Sequence, residues 1–130
     1  SIAAALLGMN QSSLLNDLQT FGFLFEALVE RDLSIYAAAS GNMLRHYQDY
    51  RGNEVDAIIE APDGRWGAIE IKLGAGEIDY AAKTLLKTDK AMQEASGRGA
   101  SFLAVICGLS SYAYKRDDGV NVIPITALGV

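Results

Sequence analysis

One cysteine, one histidine and two prolines are all that the 130 residues carry of these types. A lone Cys107 allows no internal disulfide. It sits in an apolar run, where a free thiol behaves as a small buried hydrophobe, so a reducing, cytoplasmic compartment is expected. A lone His46 on a strand is more often a surface or hydrogen-bonded residue than a ligand or base. Ser-His-Asp and Cys-His mechanisms would both have to use it, and Cys107 lies in a core strand, so nucleophilic catalysis is discounted. No apolar run has the length of a membrane span, so no membrane partner is expected. The start of the chain, Ile2 to Leu7, has no basic flank and is short for a signal peptide. Residue 1 is Ser, which reads as a fragment of a longer protein. A basic excess is missing too: the net charge is -5 and the sequence pI about 4.7. Nucleic-acid binders usually carry a basic footprint. Tight nucleic-acid binding would therefore need a local basic groove or a basic neighbouring domain. No G-x-x-x-x-G-K-[ST] pattern occurs, so Gly74-Ala75-Gly76 is a chain break and not a phosphate loop. Repeats, low-complexity tracts and a second domain are absent.

A hydrophobic content of 50% with 21% charged residues fits one globular domain with a real core. Its organising stretch is Glu54 to Leu73. Two runs alternating with period two flank Pro62-Asp63-Gly64, which predicts a β-hairpin. Val55, Ala57, Ile59 and Ala61 are expected on one core face, with Gly67, Ile69, Ile71 and Leu73 on the facing strand. Pro, Asp and Gly suit the successive positions of a three-residue loop. Such a loop pairs Ala61 with Arg65. Counting back, Asp56 falls opposite Glu70, and Glu54 opposite Lys72. Like charges opposite one another destabilise a sheet. The pair needs a cation, a shared proton or solvent. Lys72 lies on the same face as Glu70, and a hard divalent cation would suit the carboxylate oxygens.

The rest of the chain supplies a frame. Residues 1–19 read as a linker or a short helix of a preceding region, and residues 20–130 as the domain. Thr20 is the expected cap of a helix from Phe21 to about Ala39. Phe21, Leu24, Phe25, Leu28, Val29, Leu33, Ile35 and Tyr36 form its apolar arc. Glu26 lies at the rim of that arc, either reaching water or reaching toward Asp56. Asp32 falls inside the arc and is expected to pair with Arg45 or Arg51. Met43 to Tyr50 reads as a strand, with Arg51-Gly52-Asn53 as the turn after it. A second helix runs from about Glu77 to Ser96, burying Ile78, Ala82, Leu85 and Met92. Lys83, Lys87 and Lys90 face the other way, as a solvated face or a phosphate-contacting stripe. Ala100 to Cys107 is a strand covered on both faces. Tyr112 to Lys115 is a short edge strand or helix, and Asp117-Asp118-Gly119 a turn. Val120 to Ile125 is the last strand, with Pro124 suggesting an edge. Thr126 to Leu128 begins a further helix. An α/β sandwich with a mixed sheet is the expected class.

Asp56 followed by Glu70-Ile71-Lys72 after a hairpin resembles the D…(D/E)-x-K signature of the PD-(D/E)XK nuclease superfamily. A bare signature of this kind is weak. Four ordered stretches add specificity: Phe21-Gly22-Phe23-Leu24-Phe25-Glu26, Tyr50 to Asp56, Ile69 to Lys72, and Val122-Ile123-Pro124-Ile125. Together they resemble the C-terminal nuclease-like domain of prokaryotic P-loop (AAA-type) ATP-binding proteins of unknown function. The likeness covers nearly the whole chain, although Val55 stands where the "PD" name has its Pro. It implies a restriction-endonuclease-like αβββαβ core, a mixed sheet flanked by helices. It also implies a metal-dependent nuclease domain attached to a P-loop ATPase. Asp56, Glu70 and the Ile71 carbonyl would hold Mg²⁺ or Mn²⁺, with Glu26 adding to the shell and Lys72 orienting or deprotonating a water. Arg51, Lys83 and Lys87 are the candidate nucleic-acid contacts. DNA, the ATPase domain of the same chain and a further copy of the domain are the candidate partners. Two alternatives stay open: an idle regulatory module that binds nucleic acid or protein, and a plain Glu54–Lys72 pair on a wet sheet face.

Overall fold

A computed structural model describes residues 18–48, 54–110 and 112–128, with side chains placed for 25–48, 54–110 and 112–126. The predicted short helix before residue 18 and the turn Arg51-Gly52-Asn53 lie outside the described residues. Helix α1 (Leu18–Ala39) leads into β1 (Met43–Gln48), β2 (Glu54–Glu60) and β3 (Trp66–Lys72). Helix α2 (Ile78–Ser96) follows, then β4 (Phe102–Cys107), β5 (Tyr114–Lys115) and β6 (Asn121–Pro124). The strands form one mixed sheet in the order β1-β2-β3-β4-β6-β5. β1, β2 and β3 are antiparallel neighbours, β3, β4 and β6 run parallel, and β5 returns along the far edge.

The turn at Pro62-Asp63-Gly64 closes as its residues require. The Ala61 N–H donates to the Arg65 carbonyl, and Gly64 takes φ 90°, open only to a residue without a Cβ penalty. The resulting register pairs Ala57 with Ile69 and Glu60 with Trp66. On one face α1 lays Phe25, Val29 and Leu33, each four residues apart, over Ile69, Ile71, Ala104 and Ile106, and Ala37 one turn further on is buried as well. On the other, α2 lays Ile78, Ala82 and Leu85 over Ile58, Trp66, Ala68, Val105 and Val122. Each fully buried Val, Leu or Ile contributes about 2 kcal/mol of apolar transfer. Gly97 closes α2 in the left-handed conformation. The Trp66 indole N–H donates to the Arg98 carbonyl at 3.1 Å, and Arg98 Nη1 donates to the Asp63 carbonyl at 2.9 Å, tying α2's end to the hairpin turn. Among the described residues no helix is long and apolar enough to cross a membrane.

Several expectations are corrected. α1 already includes Thr20, so that residue is inside the helix and not its cap. Ile35 and Tyr36 are exposed, at 59% and 53%, because the four-residue stripe through Ala37 turns them away from the sheet. Of the two partners expected for Asp32, Arg45 pairs instead with Glu60 across β1 and β2 at 3.5 Å, and Arg51 lies outside the described residues. β6 is interior, flanked by β4 and β5. Pro124 fits because it is the strand's last residue, beyond the two that β5 covers. The largest correction concerns β2. Val55 packs under α2 while Ala57 packs under α1, although they are two residues apart. β2 and β1 slip out of register here, with Arg45 opposite Ile58 but Tyr47 opposite Val55. Asp56 and Ala57 together face the single residue His46. This is a β-bulge, and it reverses the side-chain alternation that the sequence alone predicts.

Candidate functional site at the β2–β3 break

A regular ladder continued from Ala57–Ile69 would join the backbones of Val55 and Ile71. The bulge prevents it, and carboxylates take the place of carbonyls. The Ile71 N–H donates to Asp56 Oδ2 at 2.7 Å, and the Asp56 N–H donates to Glu70 Oε1 at 3.1 Å. Each strand's acid thus caps the other strand's amide. Two facing carboxylates are thereby pinned at a place where the sheet opens.

Lys72 and Glu26 complete the cluster. Lys72 Nζ stands 3.7 Å from Glu70 Oε2 and 3.8 Å from Glu26 Oε1. It bridges the strand acid and the α1 acid. The side chain of Glu70 is 7% exposed and that of Lys72 20%, so little water screens them. Burial pushes the Glu70 carboxyl up to about 7, and the neighbouring Asp56 charge adds to it, while Lys72 pulls the other way. Burial raises Asp56 as well, against the opposing Ile71 N–H and Lys72. Glu26 is raised by burial and then by Asp56. Burial alone would depress Lys72, but Glu70, Glu26 and Asp56 outweigh it and hold the ammonium above its ordinary value. Three acids face one base, and the site is short of positive charge.

Among the described residues no three carboxylate, imidazole or thiol groups close into a ready metal cage. A divalent cation fits the donor set as a partial shell. Asp56 and Glu70 are hard oxygen donors. The Ile71 carbonyl belongs to the same β3 edge as its N–H, and Mg²⁺ keeps several waters in such sites. The surplus carboxylate charge also fits a cation.

The structure therefore brings together Asp56, Glu70, Lys72, Glu26 and Ile71. It turns Lys72 to Glu70 and Glu26, leaving exposed Glu54 out of the cluster. Lys83 and Lys87 stand on the exposed side of α2 and take no part in the described contacts of the cluster. Arg51 lies outside the described residues. Neither Glu30 nor His46 was among the expected site residues. His46 Nδ1 lies 3.2 Å from the Asp56 carbonyl and 3.6 Å from Glu30 Oε1. The one available signal was that Glu30 follows Glu26 by one helical turn, on the same flank of α1.

No curated protein and no solved structure matches the chain. Residues 21–128 match the family described as "Domain of unknown function (DUF4143)". That span holds α1 from its second turn, all six strands, α2 and the whole acid–lysine cluster, and the chain belongs to the DUF4143 family.

Proposed function

We propose that the domain is a metal-dependent phosphodiester hydrolase of the restriction-endonuclease-like, PD-(D/E)XK type, joined in the full-length, cytoplasmic protein to a P-loop ATPase domain. The observation that carries this reading is the convergence of Asp56 and Glu70 at a break in the sheet, with Lys72 3.7 Å from Glu70. Asp56, Glu70 and the Ile71 carbonyl would hold Mg²⁺ or Mn²⁺, with Glu26 at the margin. The chemistry such a cation supplies is polarisation of the phosphate and a lowered pKa for a bound water. Lys72 is held charged by three acids, so it acts as a hydrogen-bond donor. It orients the attacking water and meets the negative charge that develops on phosphate, in preference to taking a proton. Glu70 carries a proton with a pKa of about 7, and must release it to become a ligand. Activity should accordingly rise with pH through neutrality.

The test is cleavage of supercoiled, branched and single-stranded DNA in Mg²⁺ or Mn²⁺. Glu70→Ala and Lys72→Ala are each expected to lower the rate by at least about 100-fold. Cleavage that survives both substitutions overturns the assignment.

The net charge of -5 favours a second reading, an idle module that binds nucleic acid or a protein for the attached ATPase. Calorimetry separates the two. Mn²⁺ uptake that Glu70→Ala abolishes supports the hydrolase. Partner binding with no Mn²⁺ uptake supports the module.

A further inference from the structure

We infer that His46 and Glu30 form a strut that positions the Asp56 carboxylate, making His46 a positioning residue of the candidate site. The inference deepens the hydrolase reading and, for its catalytic consequence, rests on it. β1 contributes one residue, His46, opposite two on β2, Asp56 and Ala57. The bulge turns the Asp56 carbonyl toward β1, where His46 Nδ1 meets it at 3.2 Å. An imidazole nitrogen bonded to a carbonyl must carry the hydrogen, so Nδ1–H donates and the tautomer follows. Glu30 Oε1 stands 3.6 Å from the same nitrogen, beyond hydrogen-bond reach, and attracts the ring from α1 by charge when the imidazole is protonated.

Glu26 and Glu30 are one turn apart on α1. The first reaches Lys72 on β3, and the second reaches His46 on β1. The two contacts bracket the break between β2 and β3 from one helix flank. Asp56 is thus held at both ends. Its carbonyl is fixed by His46, and its carboxylate accepts from the Ile71 N–H at 2.7 Å. Without the first contact the bulge keeps, on the β1 side, only the flanking pairs Arg45–Ile58 and Tyr47–Val55, and neither fixes the Asp56 peptide itself. Bulges of this kind commonly aim a side chain at a site, and groups that orient a ligand are worth about 10- to 100-fold in metal affinity.

The experiment compares His46→Ala, His46→Asn and Glu30→Gln with the wild type, in two readouts. Asn places an amide N–H close to where Nδ1–H stands, so it keeps the donor and discards the ring. The first readout is amide hydrogen exchange of Ile71 and Asp56 without metal. His46→Ala is expected to speed exchange at Ile71 by about 5- to 10-fold relative to Ile69, the cost of a loosened hydrogen bond. His46→Asn is expected to restore most of the protection, and Glu30→Gln to fall between. The second readout is Mn²⁺ affinity, where His46→Ala is expected to lose about 10-fold and His46→Asn to recover. Unchanged Ile71 exchange in His46→Ala overturns the strut, whatever the metal does. A wild type that takes up no Mn²⁺ while His46→Ala still speeds Ile71 exchange overturns the hydrolase reading and leaves the strut standing. Equal loss in His46→Ala and His46→Asn assigns the effect to packing and overturns the hydrogen-bond role.

Discussion

Two charge clusters lie at opposite ends of the β2–β3 hairpin, and the closer contact is the weaker one. At the turn, Arg65 Nε meets Asp63 Oδ2 at 2.7 Å, with side chains 70% and 56% exposed. At the break, Lys72 meets Glu70 at 3.7 Å, with side chains 20% and 7% exposed. Water screens the first pair, and an exposed pair of this kind contributes almost nothing to stability. The second is poorly hydrated, so each charge depends on the others. Distance alone misranks them, and burial decides. The turn cluster serves local geometry: the Arg65 N–H and guanidinium hold the Asp63 carboxyl below its ordinary range. The break cluster carries unbalanced charge, which is what a binding site for a cation requires.

The largest effect should come from removing the one base of the buried cluster. Lys72→Leu leaves Asp56, Glu70 and Glu26 facing each other, and is expected to cost about 3 kcal/mol in urea unfolding at pH 8. The loss should shrink at pH 5, where Glu70 takes up a proton.

Close to it in size is the effect of pH alone. Glu70 sits near 4.5 unfolded and near 7 folded, so the folded chain binds more protons between these values. Stability from this group is complete below 4.5 and is lost as pH rises through 7, on the order of 3 kcal/mol in total. Asp56 and Glu26 are raised too and act with the same sign. Lys72 keeps its contribution across that window, because its raised value is lost only at alkaline pH. Glu70→Gln should flatten the pH profile of unfolding and stabilise the chain at pH 8. A wild-type profile that already rises from pH 5 to 8 would contradict the assignment.

Smaller again is the effect of a bound cation. Millimolar Mn²⁺ should raise the melting temperature by a few degrees at pH 8 and less at pH 5, where protons compete for Glu70. At the other end of the hairpin, Asp63→Ala should leave the profile between pH 5 and 8 unchanged and move the melting temperature far less than Lys72→Leu does. A clear loss there would break the contrast between the two clusters.

The nearness of Asp56 and Glu70 was legible because Pro62-Asp63-Gly64 specifies the loop and so the hairpin register up to Ala57–Ile69, although past that pair the bulge, and not the ladder, sets how the two acids meet. β4 was legible because a strand covered on both sides shows no polar alternation. Glu26 was legible as a rim residue of α1, although not its 3.8 Å contact with Lys72. His46 was legible as an exposed, hydrogen-bonded residue, but its partner was not. Nothing about an isolated imidazole says which carbonyl it will face. The bulge was hidden for a related reason. Val55-Asp56-Ala57 reads as perfect alternation, and only the pairing of β1 with β2 reveals an extra residue. Interior β6 was misread because its covering strand, β5, spans two residues and leaves Pro124 free at the end.

The amino-acid sequence alone determined the elements, the hairpin register and the meeting of two acids beside a lysine. These follow from local periodicity and turn chemistry, which act over a few residues. The tertiary structure alone decided that β2 bulges, that the acids cap opposing amides, and that α1 lays Glu26 and Glu30 against two different strands. Those outcomes depend on chain segments distant in sequence competing for the same backbone hydrogen bonds, and on how deeply each charge is buried, neither of which a local pattern encodes.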